Sequence, residues 1–533
     1  MNQPNILLVI TDQQRVDHLG CYGHPVVKTP NIDSIAKKGT RFERFYVSTP
    51  VCMPNRATLM TGRMPSVHGV RHNGIPLSRS SVTFVEVLKS FGYRTALIGK
   101  SHLQTQTGRP PISHGESSLA GRRALPEALR EARKGIFLDG SYDEESPNRW
   151  KAPDAKVDVP FYGFDYVELC KGHGDLMTGD YLRWLRGRHP FPESIVGPNN
   201  QLPGNVYSVP QAWRTAVPED LYSTAFIAER VESYLSQFSD NDDGHPFFLM
   251  ASFPDPHHPF TPPGRYWDMY QPRQMPVPTA FQRDDWAPPP HVAELIDAYN
   301  RGERSDDPVM AHGICLEQAL EARALTCGSI TCIDDAVGRM IRTLQANDLE
   351  KDTIVIFTSD HGEHLGDHRL LLKGLAHYDE LLRVPCIWCD PRQTKTGAVT
   401  KALAGTIDLS ATILDRLGFA SYNGFQGVSL LPIIEKPDSE VRSAILIEDE
   451  NQRSVAGLGP KPRERTLVTK DWRMSIFLGH NWGELYDLGK DPGEFDNLWN
   501  SIPHQKTKAV LMEILTQKLT DTCDRCPAPL HQA

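Results

Sequence analysis

Asn5-Ile6-Leu7-Leu8-Val9-Ile10-Thr11-Asp12-Gln13 is a short, nearly continuous apolar run that breaks into polar residues at its end. It reads as a strand buried on both faces, because a half-exposed strand would alternate apolar and polar positions. Its polar end then lies where parallel α/β sheets bind ligands, at the carboxyl ends of the strands. The pattern recurs. Tyr93 to Ile98 ends in Gly99-Lys100-Ser101-His102, Pro246 to Ala251 leads into Phe253-Pro254-Asp255-Pro256-His257, and Thr353 to Thr358 ends in Ser359-Asp360-His361-Gly362. Helical stretches such as Ser81 to Phe91 and Ser329 to Asn347 lie between these runs. Strands with polar ends and helices between them predict an α/β fold with a large, mixed but mostly parallel sheet flanked by helices.

The remaining segments arrange themselves around that sheet. A chain of 533 residues is expected to form two domains. Between about 104 and 220, Pro, Gly, Arg and aromatic residues follow no sustained period, which reads as an insertion of loops and short helices in a larger domain spanning 1–435. Pro262 to Pro290, with Tyr266, Trp267, Tyr270 and Trp286, reads as an ordered loop over the surface. Past Glu440 the short runs Ala444 to Ile447, Arg465 to Val468, Trp472 to Phe477 and Glu484 to Tyr486 predict a small antiparallel sheet. With an amphipathic helix over Lys506 to Thr520, they make up a smaller α+β domain at 436–533.

Charged residues at 23%, apolar residues at 39% and a mean hydropathy of −0.40 describe a soluble globular chain. The net charge of −9 argues against nucleic acid or an anionic membrane as partner. It leaves a small anion in a locally basic pocket open. No apolar stretch reaches the ~20 residues that cross a bilayer. Met1-Asn2-Gln3-Pro4 carries neither the basic region nor the cleavage site of a signal peptide, so a cytoplasmic location is expected. The ten cysteines then need separate readings, not a disulfide framework. Cys386 and Cys389 fall in a strand-like run whose alternation turns the two thiols to opposite faces, so a zinc site shared with Cys523 and Cys526 is not expected.

The chemistry concentrates in Cys52-Met53-Pro54-Asn55-Arg56 and the following Ala57-Thr58-Leu59-Met60-Thr61-Gly62-Arg63. Pro54 suits the first turn of a helix and Gly62 its end, which places Cys52 at a helix N-terminus, where the dipole favours anions. A buried structural thiol is the plain alternative. Arg56 follows too closely for a Cys-x5-Arg anion-wrapping loop. Asp12, Gln13, Asp360 and His361, at two strand ends, offer two carboxylates, an amide oxygen and an imidazole, a set that suits a divalent ion with open positions. Taken singly, either aspartate is as readily a helix cap. His361, His364 and His368 lack the His-Glu-x-x-His arrangement of zinc proteases.

Cys-x-Pro-x-Arg followed by a short helix ending in Thr-Gly-Arg resembles the signature of the type I sulfatases, in which a formylglycine-generating enzyme oxidises the cysteine to formylglycine. The resemblance continues through Gly99-Lys100-Ser101-His102-Leu103, Pro256-His257-His258-Pro259-Phe260 and Leu372-Lys373-Gly374. It extends to Leu485-Tyr486-Asp487-Leu488, Asp491-Pro492-Gly493-Glu494 and Asn497-Leu498, so it covers nearly the whole chain. It implies an alkaline phosphatase-like domain carrying the site, with one divalent ion held by Asp12, Gln13, Asp360, His361 and the modified Cys52. The aldehyde hydrate would attack the sulfur of a small sulfate ester. In that scheme Arg56 orients the hydrate, His102 assists it, Lys100 and Lys373 hold sulfate oxygens, and His257 serves the leaving oxygen, with His258 as its competitor. Asn73, in Val70-Arg71-His72-Asn73-Gly74, lines the pocket by the same resemblance.

Three departures qualify that picture. Asn55 stands where the family has a small residue. Gln13 and His361 stand where calcium sulfatases carry Asp and Asn, and a nitrogen ligand moves preference towards manganese or zinc. Calcium and manganese come first here, zinc third. Arylsulfatase activity is expected ahead of phosphonate monoester or phosphodiester hydrolysis. Relatives of that second kind share the Asp12-Gln13 and Asp360-His361 pairs but commonly carry Tyr and Thr at the positions of Lys100 and His102. An unmodified Cys52 would leave an inactive anion-binding homologue. The long insertion and tail helix suggest a homo-oligomer, dimer or tetramer.

Overall fold

Strand β1 (Asn5–Asp12) is buried along its whole length, as its unbroken apolar run requires. Its side chains alternate between two cores, Ile6, Leu8 and Ile10 entering one and Leu7 and Val9 the other. Each such burial is worth ~1.5–3 kcal/mol, which is why the strand sits at the centre. In this computed structural model, residues 3–112, 126, 128–129, 141–240, 244–303, 308–527, 529 and 531 are described.

Eight further strands complete the main sheet: β2 (Thr40–Phe42), β3 (Arg94–Gly99), β4 (Tyr166–Lys171), β5 (Thr178–Gly179), β6 (Phe247–Pro256), β7 (Thr353–Ser359), β8 (Cys386–Cys389) and β9 (Ala398–Thr400). Their order is β9-β2-β8-β7-β1-β6-β3-β4-β5. The run β7-β1-β6-β3-β4 is parallel throughout. β8 is antiparallel to both of its neighbours, and β5 is antiparallel to β4. Thr11 pairs with Ser359 and Gly99 with Ser252, so four strands end at one level. The polar residues that follow them converge above the sheet.

The expected insertion needs correction. Its residues 113–125, 127 and 130–140 lie outside the described residues, but β4 and β5 belong to the main sheet and Asp180–Arg186 is a helix packed beside them. β4 leaves no apolar signature because it lies near the sheet's edge. Tyr166 is exposed, Val167 and Glu168 are half-buried, and only Leu169, Cys170 and Lys171 are buried, so no apolar run marks it.

Four helices frame the site: α1 (Cys52–Thr61), α2 (Phe84–Ser90), α3 (Ser223–Asp240) and α4 (Leu316–Ala346). α2 begins at Phe84, not Ser81, because Thr83 and Glu86 form a reciprocal capping box. α4 begins at Leu316, well before Ser329. Its first turns hide buried charges from the apolar pattern: Arg323 donates to the Leu365 carbonyl (2.8 Å), and Glu321 accepts from the Val209 amide (2.7 Å). In the expected loop at 262–290, Tyr266, Trp267 and Tyr270 are buried among short helical turns.

The C-terminal sheet is an antiparallel meander of β10 (Ala444–Glu450), β11 (Arg463–Thr469), β12 (Trp472–Phe477) and β13 (Gly483–Asp487). Leu511 and Leu515 of helix α5 (Gln505–Asp521) share its core with Leu446, Leu467, Met474 and Leu485. Cys386 and Cys389 do turn to opposite faces, one in each main core, while Cys523 and Cys526 are exposed free thiols. Among the described residues, no helix is long and apolar enough to cross a membrane.

Candidate active site

Cys52 is the first residue of α1 and is 1% exposed, its thiol facing the ends of β1 and β7. Its Sγ lies 3.1 Å from His361 Nε2 and 3.0 Å from Lys373 Nζ, with Asp12 Oδ1 at 3.7 Å. Asn73 caps this helix from outside, its Oδ1 accepting from the Met53 amide (3.2 Å).

Two strand ends supply anionic and basic atoms. Donor atoms of Asp12, Cys52, Asp360 and His361 lie within 4.8 Å of one another, all in buried residues. His361 Nδ1 donates to the Gly362 carbonyl (2.8 Å), which turns Nε2 inward. Such an outer bond commonly fixes the tautomer of a metal-binding histidine. Asp360 is held by Arg56 Nε at Oδ2 (2.7 Å) and by the Gln13 amide at Oδ1 (3.1 Å). Two carboxylates, an imidazole and a fourth donor fit a divalent ion. The Gln13 Oε1 adjoins the group through the ammonium of Lys373, from which it accepts at 2.8 Å. That ammonium also meets His257 Nε2 (2.9 Å) and His361 Nε2 (3.0 Å), so a cation already stands among converging Lewis bases.

The charges are interdependent. Burial pushes the Asp12 carboxyl up, but Lys100, His257 and Lys373 reverse this and hold it well below the ordinary carboxylate range. Burial and Asp12 raise the Cys52 thiol, and Lys373, Lys100 and His361 outweigh them, so its pKa is lowered. For Lys373, burial is outweighed by the Cys52 and Asp12 charges, and its pKa is raised. Burial first, then His173, His258 and Lys373, holds His257 well below the usual imidazole range. A neutral His257 donates from Nδ1 to the His258 carbonyl and accepts at Nε2 from Lys373.

The adjacent histidines face different partners. His257 faces the thiol side through Lys373, whereas His258 Nδ1 is bonded to the Gln13 carboxamide nitrogen (3.0 Å). Lys100 pairs with Asp12 Oδ2 and donates to His173 Nε2 (2.8 Å). Arg56 reaches Asp360, the Lys100 carbonyl (3.0 Å) and Ser252 Oγ (2.9 Å). Its Nη2 is buried without a partner among the described residues. His102 is buried nearby, its backbone amide donating to Glu145 Oε2 (2.9 Å), and its Nδ1 has no partner among the described residues.

Four further residues at or around the site are not marked by the motifs. Glu145 gathers the amides of His102, Leu103 and Gln104 from the region read as an insertion. Glu363 accepts from the Gln13 carboxamide, and Ser252 from Arg56. His173 stacks on His257, ring centroids 3.6 Å apart. The one available cue was Gly172-His173-Gly174, a histidine between glycines in a polar stretch.

A sulfatase family model matches residues 4–419, and a model of the C-terminal part of N-sulphoglucosamine sulphohydrolase matches residues 366–521. The chain is 29% identical to an arylsulfatase of Clostridium perfringens over 523 residues, covering 97% of this chain and 94% of that protein. It is also 29% identical to a multifunctional alkaline phosphatase superfamily protein of Trinickia caryophylli, covering 93% and 91%. The solved phosphonate monoester hydrolase of Agrobacterium radiobacter superposes with a TM-score of 0.75 at 26% identity, covering 99% of this chain and 97% of that one. Family match, shared architecture and a thiol among clustered carboxylate and imidazole donors at the sheet's ligand-binding edge agree: the chain belongs to the sulfatase family, in the alkaline phosphatase-like superfamily, and is a sulfuric ester hydrolase.

Proposed function

We propose that the protein hydrolyses sulfate monoesters of the arylsulfatase type, with Cys52 converted to formylglycine by a formylglycine-generating enzyme. The observation that carries this reading is the position of the Cys52 Sγ, between His361 Nε2 and Lys373 Nζ at a helix N-terminus. That sulfur stands where the oxygen of the oxidised side chain would stand. Asp12, Asp360, His361 and the modified Cys52 would hold one divalent ion, with Gln13 Oε1 joining once Lys373 turns to substrate. The ion would supply Lewis-acid stabilisation of sulfate oxygens, and the hydrated aldehyde a nucleophilic hydroxyl.

The chain's own residues divide the remaining work. Lys373 and Lys100 place ammonium hydrogens where anionic oxygens gather in the transition state. His257 Nε2, bonded to Lys373 Nζ, is placed to relay a proton to the departing oxygen. Arg56 keeps Asp360 aligned. His102 serves the hydrate on the Lys100 side. Phosphonate monoester hydrolysis is the second reading, favoured by the likeness to the Agrobacterium enzyme and by the Asp12-Gln13 and Asp360-His361 pairs.

Mass spectrometry of the peptide containing Cys52, from cells that make formylglycine, tests the nucleophile. The aldehyde mass is expected. A wholly unmodified cysteine would leave an anion-binding homologue in place of an enzyme.

A further inference from the structure

His173 lies outside every motif of the site, yet the fold builds it in. It follows β4 on a tight tip where Gly172 and Gly174 both take positive φ (97° and 59°). A Cβ on Gly174 would stand 2.9 Å from Thr261 Oγ1 and 3.3 Å from Pro259 Cδ, so the tip is pressed against the segment just past His257 and His258. Asp175, fully buried, anchors the far side by accepting from Trp213 Nε1 (3.1 Å) and Thr215 Oγ1 (2.6 Å). The ring therefore arrives in one place.

There it meets two groups of the proposed machinery. Its plane lies 12° from that of His257, continuing a stack in which His257 and His258 are 4.0 Å apart. Its Nε2 accepts from Lys100 Nζ at 2.8 Å, which puts the ring proton on Nδ1. Asp12 Oδ2 is 3.7 Å from the same nitrogen. Donor atoms of Asp12, His173 and His257 all lie within 4.8 Å of one another. The Lys100 ammonium is thus shared between a carboxylate and a neutral acceptor. The side chain of His173 is 23% exposed where those of Lys100 and Asp12 are 0%, so it stands on the solvent side of the pair.

We infer that His173 is a positioning residue, which holds the Lys100 ammonium partly off Asp12 and aims its remaining hydrogen at the anionic group of the substrate. This rests on the ester-hydrolase reading above. Without the imidazole, Lys100 is left with Asp12 as its one strong acceptor and closes onto it. The ammonium then neutralises a carboxylate needed by the metal and abandons the substrate oxygen. The stacked ring also fixes the plane of His257.

Three variants separate the two contacts. His173→Gln keeps an acceptor for Lys100, His173→Phe keeps a ring against His257, and His173→Ala keeps neither. On an aryl sulfate, Ala and Phe are expected to lose kcat by ~10–100-fold, the usual range for such supporting partners, while Gln stays within several-fold of wild type. In a Lys100→Met background, His173→Ala should cause no further loss, because the two act as one unit. Near-normal kcat in Ala and Phe, an equal loss in Gln, or an additive loss in the double variant would overturn the inference. Calorimetric binding of inorganic sulfate gives a readout without turnover: weaker in Ala and Phe, near normal in Gln. A wild-type enzyme that binds sulfate with this pattern but hydrolyses no ester would overturn the functional reading and leave His173's role standing. Unchanged sulfate binding in all three would remove that role.

Discussion

The carboxamide of Asn55 donates from Nδ2 to the main-chain oxygen of Asp360 at 2.5 Å, tying the helix that presents Cys52 to the strand end that presents Asp360 and His361. Its Oδ1 accepts from the Ser48 amide (3.1 Å) and from Thr406 Oγ1 (2.8 Å), so the buried amide is used at both ends. The residue that departs from the family's small side chain is therefore a structural tie.

Asn55→Ala should loosen that tie. Three buried groups lose a partner, each at ~1–3 kcal/mol, so the expected result is a clear drop in Tm with the same far-UV spectrum. An unchanged Tm would show that the amide carries no strain-bearing contact.

Lys373 is bonded to Gln13, Cys52, His257 and His361 at once. Losing one preorganised cationic donor costs ~2.7–4 kcal/mol of barrier, so Lys373→Ala should lower kcat roughly 10²–10³-fold. Circular dichroism should stay unaltered. Turnover close to wild type would exclude Lys373 from the transition state.

Chelation should abolish activity and lower the Tm, since ligand binding to the folded state stabilises it. In the proposed donor set, His361 supplies the nitrogen that separates it from an all-oxygen one. In His361→Asn, metal analysis after equal loading with calcium and manganese should shift towards calcium. An unshifted ratio would place His361 outside the coordination shell.

Away from the site, Asp334 accepts from the Asn31 and Ile32 amides at the start of the helix Pro30–Lys38. Burial pushes its pKa up to about 6, despite those bonds. The folded state thus keeps a proton that the unfolded chain releases near pH 4. This carboxyl's contribution to stability is complete below pH 4 and is lost as the pH rises through about 6. Asp334→Asn should flatten that part of the Tm-against-pH curve between pH 4 and 7. An identical slope in the variant would contradict the assignment.

Much of the scaffold was legible because buried parallel strands and helix starts write themselves into short windows. β1, β3, β6 and β7 each show an apolar run ending in a polar group, and Cys52-Met53-Pro54-Asn55-Arg56 shows a helix start. β4 was hidden because half of it faces solvent. The early turns of α4 were hidden because Arg323 and Glu321 are buried through partners distant in sequence.

Sequence by itself determined the four strand ends, the thiol at a helix start and the family to which they point, since each depends on residues within a few positions of one another. Only tertiary structure gave His257 and His258 their different partners, gave Asn55 its own and brought His173 beside Lys100. Those relations join residues far apart along the chain. They depend on sheet register and on the path of a glycine-flanked tip, and side-chain direction at such a tip follows from what packs around it.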